Sequence, residues 1–128
     1  MQSGRDSRQV KKISDAVHAA LVEQFGIPER DRFQIISELP VGAITAEDAG
    51  LGFERSPGVV MIQIFTQRGR TTNSKQLLYQ AIAGNLACAG VVPEDVFIGY
   101  VENGPEDWSF GFGQAQYITG ELKAPAKN

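Results

Sequence analysis

The sequence predicts an α+β fold, a doubled β-α-β unit forming a four-stranded mixed sheet with two helices on one face, plus a C-terminal hairpin or short strand. Three observations predict it. Residues 59–65, Val-Val-Met-Ile-Gln-Ile-Phe, are β-branched and aromatic and lie between Pro57-Gly58 and Gly69, a strand with its stops. Beyond the turn, Leu78, Ala81, Ile82, Leu86 and Ala89 recur at close to helical spacing, and a second strand follows at 96–101. The pattern also occurs twice. Gly4-Arg5 returns as Gly69-Arg70 and Pro28-Glu29 as Pro93-Glu94, each 65 positions on, and Ala16/Ala81 and Leu21/Leu86 match at that offset.

Taken in order, Asp6 or Ser7 caps a first helix whose apolar positions are Val10, Ile13, Val17, Ala20, Leu21 and Phe25. Gly26 stops it, with Pro28 just beyond. Residues 32–38 alternate as a strand, Phe33 and Ile35 on one face, Gln34 and Ile36 on the other. Residues 39–58 are a connection with turns at Pro40-Val41-Gly42 and around Gly50 and Gly52. Its adjacent carboxylates, Glu47 and Asp48, have no histidine near them and read as solvated. Thr71 or Thr72 caps the second helix. After a turn-rich loop at 102–107, residues 108–118 alternate glycine with aromatics, as in a bent strand or hairpin. Residues 1–122 make one domain, and 123–128 read as a mobile polar tail.

The repeat makes a demand of its own. The second unit places a strand of about seven residues before its Gly-Arg, whereas only Met1, Gln2 and Ser3 precede the first. A parallel β-α-β unit cannot close without its first strand, because a backbone ladder is lost. The expectation is that roughly half a dozen strand residues are missing ahead of Met1. A misassigned start, a shortened chain or a natural deficit would each produce this.

Composition narrows the function. A formal charge of −3 over 128 residues gives no pull toward nucleic acid or anionic membrane. No apolar run is long enough for a membrane span, and the N-terminus lacks a signal-like apolar core. The expected location is the cytoplasm. The single cysteine, Cys88, reads as a buried inert thiol, and the single histidine, His18, as lying on a solvated helix face. With no second histidine, neither a zinc site nor a Ser-His-Asp set is expected. No cofactor is expected. Arg68 and Arg70, at the turn from strand to helix, are candidate anion ligands or simply solvated turn residues.

The segments Gly26-Ile-Pro-Glu-Arg-Asp-Arg-Phe33, Glu47-Asp-Ala-Gly-Leu-Gly52, Gln67-Arg-Gly-Arg70, Asp107-Trp-Ser-Phe-Gly-Phe-Gly113 and Tyr117-Ile-Thr-Gly-Glu-Leu122 together resemble the tautomerase superfamily. More narrowly, they resemble malonate semialdehyde decarboxylase and its close relatives. The resemblance implies a homotrimer of doubled units and an active site around an amino-terminal proline. It places the catalytic aspartate on Asp31 and the arginines on Arg70 and Arg68. Trp108 and Phe110 fall on the apolar wall that binds the substrate. The sequence departs from the pattern at one point: no proline precedes Pro28, and the implied one belongs on the strand that the repeat lacks.

These residue types suit decarboxylation of a 3-oxo acid. A protonated secondary amine polarises the carbonyl oxygen, or forms an iminium with it, while a guanidinium grips the departing carboxylate through two parallel hydrogen bonds. An aromatic wall excludes water. Asp31 could orient the substrate or a water, or sustain the cation on the amine. In the bland reading it pairs with Arg30 or Arg32 at a surface turn, and Trp108 and Phe110 are core aromatics. The expected reaction turns malonate semialdehyde (3-oxopropanoate), a small carboxylate, into acetaldehyde and carbon dioxide. The alternatives are a promiscuous tautomerase or hydratase of keto or unsaturated acids, and a non-catalytic trimer.

Overall fold

The computed structural model describes residues 1–123; the expected mobile tail lies outside the described residues apart from Lys123. Helix α1 spans Ser7–Phe25. Its N-cap is Asp6, whose carboxylate accepts from the Gln9 amide while the Gln9 side chain accepts from the Asp6 amide, a reciprocal capping box. Gly26 closes the helix at φ 65, the left-handed conformation that glycine adopts without a Cβ penalty. Strand β1 is Val60–Gln67 and helix α2 is Thr72–Cys88, capped by Thr71. Strand β2, Val96–Asn103, follows a 3-10 turn at Pro93–Asp95.

β1 and β2 pair in parallel, from Val60 opposite Val96 to Gln67 opposite Asn103. Both helices cover one face. Ile13, Ala20 and Phe25 of α1, Leu78, Ile82 and Leu86 of α2, Val60 and Ile64 of β1, and Val91 form the core. The other face is uncovered, and Met61 pairs with Phe97 and Phe65 with Val101 there, all four exposed.

Among the described residues the expected four-stranded sheet is not formed: the ladder has two strands, β1 and β2. Residues 32–38 are extended in pattern but form no strand, and Phe33 and Ile35 stand 69% and 97% exposed. The reason is the absent neighbour. A strand exists through its ladder, and residues 32–39 have a partner only where Met1–Ser3 reach them. There the start of the chain lies parallel to them. The Met1 ammonium donates to the Ser37 carbonyl at 2.9 Å, the Leu39 amide to the Met1 carbonyl at 2.8 Å, and the Ser3 amide to the Leu39 carbonyl at 2.8 Å.

Three smaller expectations also change, while the expected turn-rich loop keeps a 3-10 turn at 105–107. The C-terminal hairpin shrinks to one antiparallel bridge, Gly111 to Gln114, and Tyr117 and Ile118 belong to a short helix, α3, Gln116–Thr119. Cys88 is exposed, because the buried stripe of α2 runs Leu78, Ile82, Leu86 and Cys88 falls past it on another face. His18 is buried, because the loop after α1 folds back over it and its Nε2 lies 2.8 Å from the Glu29 carbonyl.

The repeat is visible in three dimensions, with one correction of register. Gln2 faces Leu39, 37 positions on, whereas Val60 faces Val96, 36 positions on. The first unit therefore carries one extra residue between helix and strand, and Asp31 becomes the counterpart of Asp95, as Arg5 is of Arg70. Around Gly58, Arg5 and Asp95 converge. Arg5 Nη2 donates to the Gly58 carbonyl at 2.7 Å, and buried Asp95 accepts from the Ser56 amide at 2.7 Å and from its hydroxyl. A Cβ on Gly58 would lie 3.2 Å from Arg5 Nη2 and 3.4 Å from Asp95 Oδ2, so glycine is what lets this corner close.

Candidate active site

Arg70 sits where β1 has ended and α2 is about to begin, so the turn carries its side chain inward. It is 7% exposed. Its Nη1 donates to Thr66 Oγ1 at 3.0 Å and its guanidinium carbon lies 4.1 Å from the centre of the Phe25 ring. Its Nε has no hydrogen-bond partner, and none of the carboxylates among the described residues forms an ion pair with it. A buried cation without a counter-ion is costly, which makes this position hungry for an anion.

Arg70 lines a cavity of about 510 Å³ together with Asp31, Gln67, Trp108, Phe110 and Tyr117. Gln67, the last residue of β1, is 4% exposed and its Nε2 is also unpartnered. The aromatic wall is ordered by its own contacts. Trp108 and Phe110 stack at 5.6 Å and 8°, and Tyr117 meets Phe110 edge-on at 5.4 Å. Trp108 Nε1 donates to Asn103 Oδ1 at 2.8 Å. The buried Gln116 accepts from the Phe110 amide and donates to the Gly111 carbonyl, each at 2.9 Å, fixing the loop that carries the wall. Tyr117 holds its proton above the usual tyrosine range, first because it is partly buried and then because Asp31 is near. Tyr100, beneath Arg70, is raised mainly by burial, and its hydroxyl lies near Arg70 and Thr66 without hydrogen-bonding.

Of the expected site residues, Asp31, Arg70, Trp108 and Phe110 converge on this cavity. Asp31 is not tied up at a surface turn; it is Arg32 that pairs with an acid, Asp15, at 2.8 Å. Arg68 does not line the cavity. It is exposed and its Nη1 lies beside Gly104 and Glu106. Gln67 and Tyr117 were not singled out by sequence reasoning. A polar residue closing an apolar strand and a tyrosine in a glycine-aromatic run were the signals available for them. Asp48, expected to be solvated, has its carboxylate engaged by the Gly50 and Gly52 amides at 3.0 and 2.7 Å.

An anion-seeking arginine, a carboxylate on the same cavity and a stacked aromatic wall, set on a doubled β-α-β frame, can be compared with known proteins. Models of a family described as tautomerase enzyme match residues 31–111 and residues 1–54. The chain is 40% identical over 120 residues to the probable tautomerase YrdN of Bacillus subtilis (strain 168), covering 93% of this chain and 92% of that one. The solved structure of FG41 malonate semialdehyde decarboxylase inhibited by 3-bromopropiolate superposes with a TM-score of 0.95 at 57% identity, covering 97% of this chain and 95% of that one. A second malonate semialdehyde decarboxylase, whose structures are described as a basis for decarboxylase and hydratase activities, superposes at 0.92 with 39% identity, covering 95% of each chain. Fold, cavity and sequence agree, and the chain belongs to the tautomerase family.

Proposed function

We propose that this chain serves the cofactor-free decarboxylation of a small 3-oxo acid, 3-oxopropanoate, to acetaldehyde and carbon dioxide. The observation that carries the reading is Arg70, buried, unpaired at Nε and opening onto a cavity walled by Trp108 and Phe110. A carboxylate supplies the missing counter-charge, and a guanidinium holds it through parallel hydrogen bonds. The likeness at 57% identity to a malonate semialdehyde decarboxylase supports the choice of acid.

The bond that breaks joins the carboxylate carbon to the carbon next to the carbonyl. Its electron pair passes into an enol or enolate, so the carbonyl oxygen needs an electrophilic partner. A protonated secondary amine is the class of group that fills that role, and Asp31, on the same cavity, would favour its charged form. Gln67 offers its unpartnered amide N–H to the same carboxylate or carbonyl. Trp108 and Phe110 keep water from the carboxylate as it becomes neutral carbon dioxide. The exposed sheet face bearing Met61, Phe65, Phe97 and Val101 is the proposed contact between copies of a homotrimer.

The test is carbon dioxide release from 3-oxopropanoate by the chain carrying a proline-initiated strand ahead of Met1. Release is expected, and Arg70→Ala should lower it by about 10²–10³-fold. Unchanged release in that variant removes Arg70 from the mechanism. Carboxylate binding with no release at all overturns the decarboxylase and leaves a tautomerase, a hydratase or a binding protein.

A further inference from the structure

Asp31 reaches the cavity from a loop, not from a helix or a strand. Among the described residues no ion pair or side-chain hydrogen bond holds its carboxylate. Its place is therefore set by the backbone that carries it. Within the loop the Asp31 amide donates to the Pro28 carbonyl at 3.0 Å, which shapes the turn but does not anchor it. The anchor must come from another element.

Three contacts supply it, all from α1. The Arg32 guanidinium donates to Asp15 Oδ1 at 2.8 Å, and Gln34 Nε2 donates to the Ser14 carbonyl at 2.9 Å. Both lie after Asp31, and the ion pair joins side chains 36% and 41% exposed, where water and salt compete. The third lies before Asp31. His18 Nε2 is 2.8 Å from the Glu29 carbonyl, and a carbonyl only accepts, so Nε2 carries the proton and donates it. His18 is 8% exposed, so water competes poorly there. A leucine would fill the same space with no polar group to satisfy. What the imidazole adds is a donor that crosses from helix to loop.

We infer that His18 is the positioning residue of Asp31: its bond to the Glu29 carbonyl holds the loop on α1, so that the Asp31 carboxylate stays on the cavity that Tyr117 also lines. His18 acts through the main chain and touches neither the carboxylate nor a substrate. Tyr117 reports on the outcome. Its proton is held by burial and then by the charge of Asp31, while Gln67 and Arg70 favour its loss. A loop that lets Asp31 drift removes that charge, whereas the segment carrying Tyr117 keeps its own bonds through Gln116. This inference does not rest on the decarboxylase reading, and its readouts involve no turnover.

The experiment compares His18→Met with His18→Gln in the full chain. The two side chains match in length and flexibility, but only glutamine keeps an N–H donor near the place of Nε2. Ionisation of Tyr117 is read as tyrosinate absorbance by difference from Tyr117→Phe in each background, with helical circular dichroism followed across the titration. In His18→Met, Tyr117 should ionise at least about 0.3 pH unit lower than in the parent, about a twofold loss of proton affinity. In His18→Gln it should ionise as in the parent. In the Asp31→Asn background His18→Met should make no further difference, which separates positioning of the charge from a loss of packing. Unmoved ionisation in folded His18→Met overturns the proposal, as does a shift of equal size in His18→Gln or in the Asp31→Asn background. If His18→Met unfolds before Tyr117 ionises, exchange of the Asp31 amide at neutral pH decides. It should be at least roughly 10-fold faster in His18→Met than in His18→Gln, and equal exchange overturns the proposal.

Discussion

At the scale of single residues, the cavity is defined by what its polar atoms lack. Nε of Arg70 and Nε2 of Gln67 are buried and unpaired on one wall. Replacing a buried, poorly satisfied cation by an apolar side chain of similar reach relieves a desolvation cost. Arg70→Met should therefore melt no lower than the parent chain while losing the ability to bind 3-oxopropanoate, measured by calorimetry. A fall of several degrees would mean that Arg70 is structural. Tyr117 gives a second handle. Its proton is held first by burial and then by the negative charge of Asp31. In Asp31→Asn the tyrosinate absorbance assigned to Tyr117, by difference from Tyr117→Phe, should rise at lower pH than in the parent. The sign for stability follows. Tyr100 and Tyr117 bind their protons more tightly folded than unfolded, so their contribution is full below about pH 10 and is lost as pH rises through the folded values. Unfolding free energy should decline above about pH 10, and less steeply in Tyr100→Phe.

At the scale of elements, most of what was legible came from caps and periodicity. Asp6, Gly26 and Thr71 sit where their backbone chemistry required, and the Leu78, Ile82, Leu86 spacing placed one face of α2 in the core. Asp6→Ala should cost about 1 kcal/mol in urea unfolding, through the loss of the capping box. Ile82→Ala should cost about 2–5 kcal/mol, against a change within about 0.5 kcal/mol for exposed Cys88→Ala. Residues 32–38 were read correctly as a pattern and wrongly as a strand. Alternation reports which faces could be buried, but a ladder also needs a neighbour, and three residues of neighbour are present. His18 was misread because nothing in helical spacing shows that the loop carrying Glu29 returns over it. Gln67 and Tyr117 were overlooked because their meaning arises only where the end of β1 and α3, distant in the chain, line the same cavity.

At the scale of the whole molecule, one sheet face is covered by helices and the other is bare. The exposed pairs Met61 with Phe97 and Phe65 with Val101 form a patch of the kind that monomers seldom leave open. In the proposed trimer this face is buried between subunits, so Phe97→Glu should convert the assembly to monomers in sedimentation equilibrium. A mass unchanged by that substitution would place the contact elsewhere.

The doubling has an arithmetical outcome for any such assembly. Each chain repeats one architectural corner, with an arginine and an aspartate at each. At Arg70 and Asp31 the corner stands open to a cavity; at Arg5 and Asp95 the chain itself threads through as Ser56, Pro57 and Gly58 and plugs it. A trimer of these chains would thus present three open corners rather than six. The plugged corners act instead as clasps that fix where β1 begins.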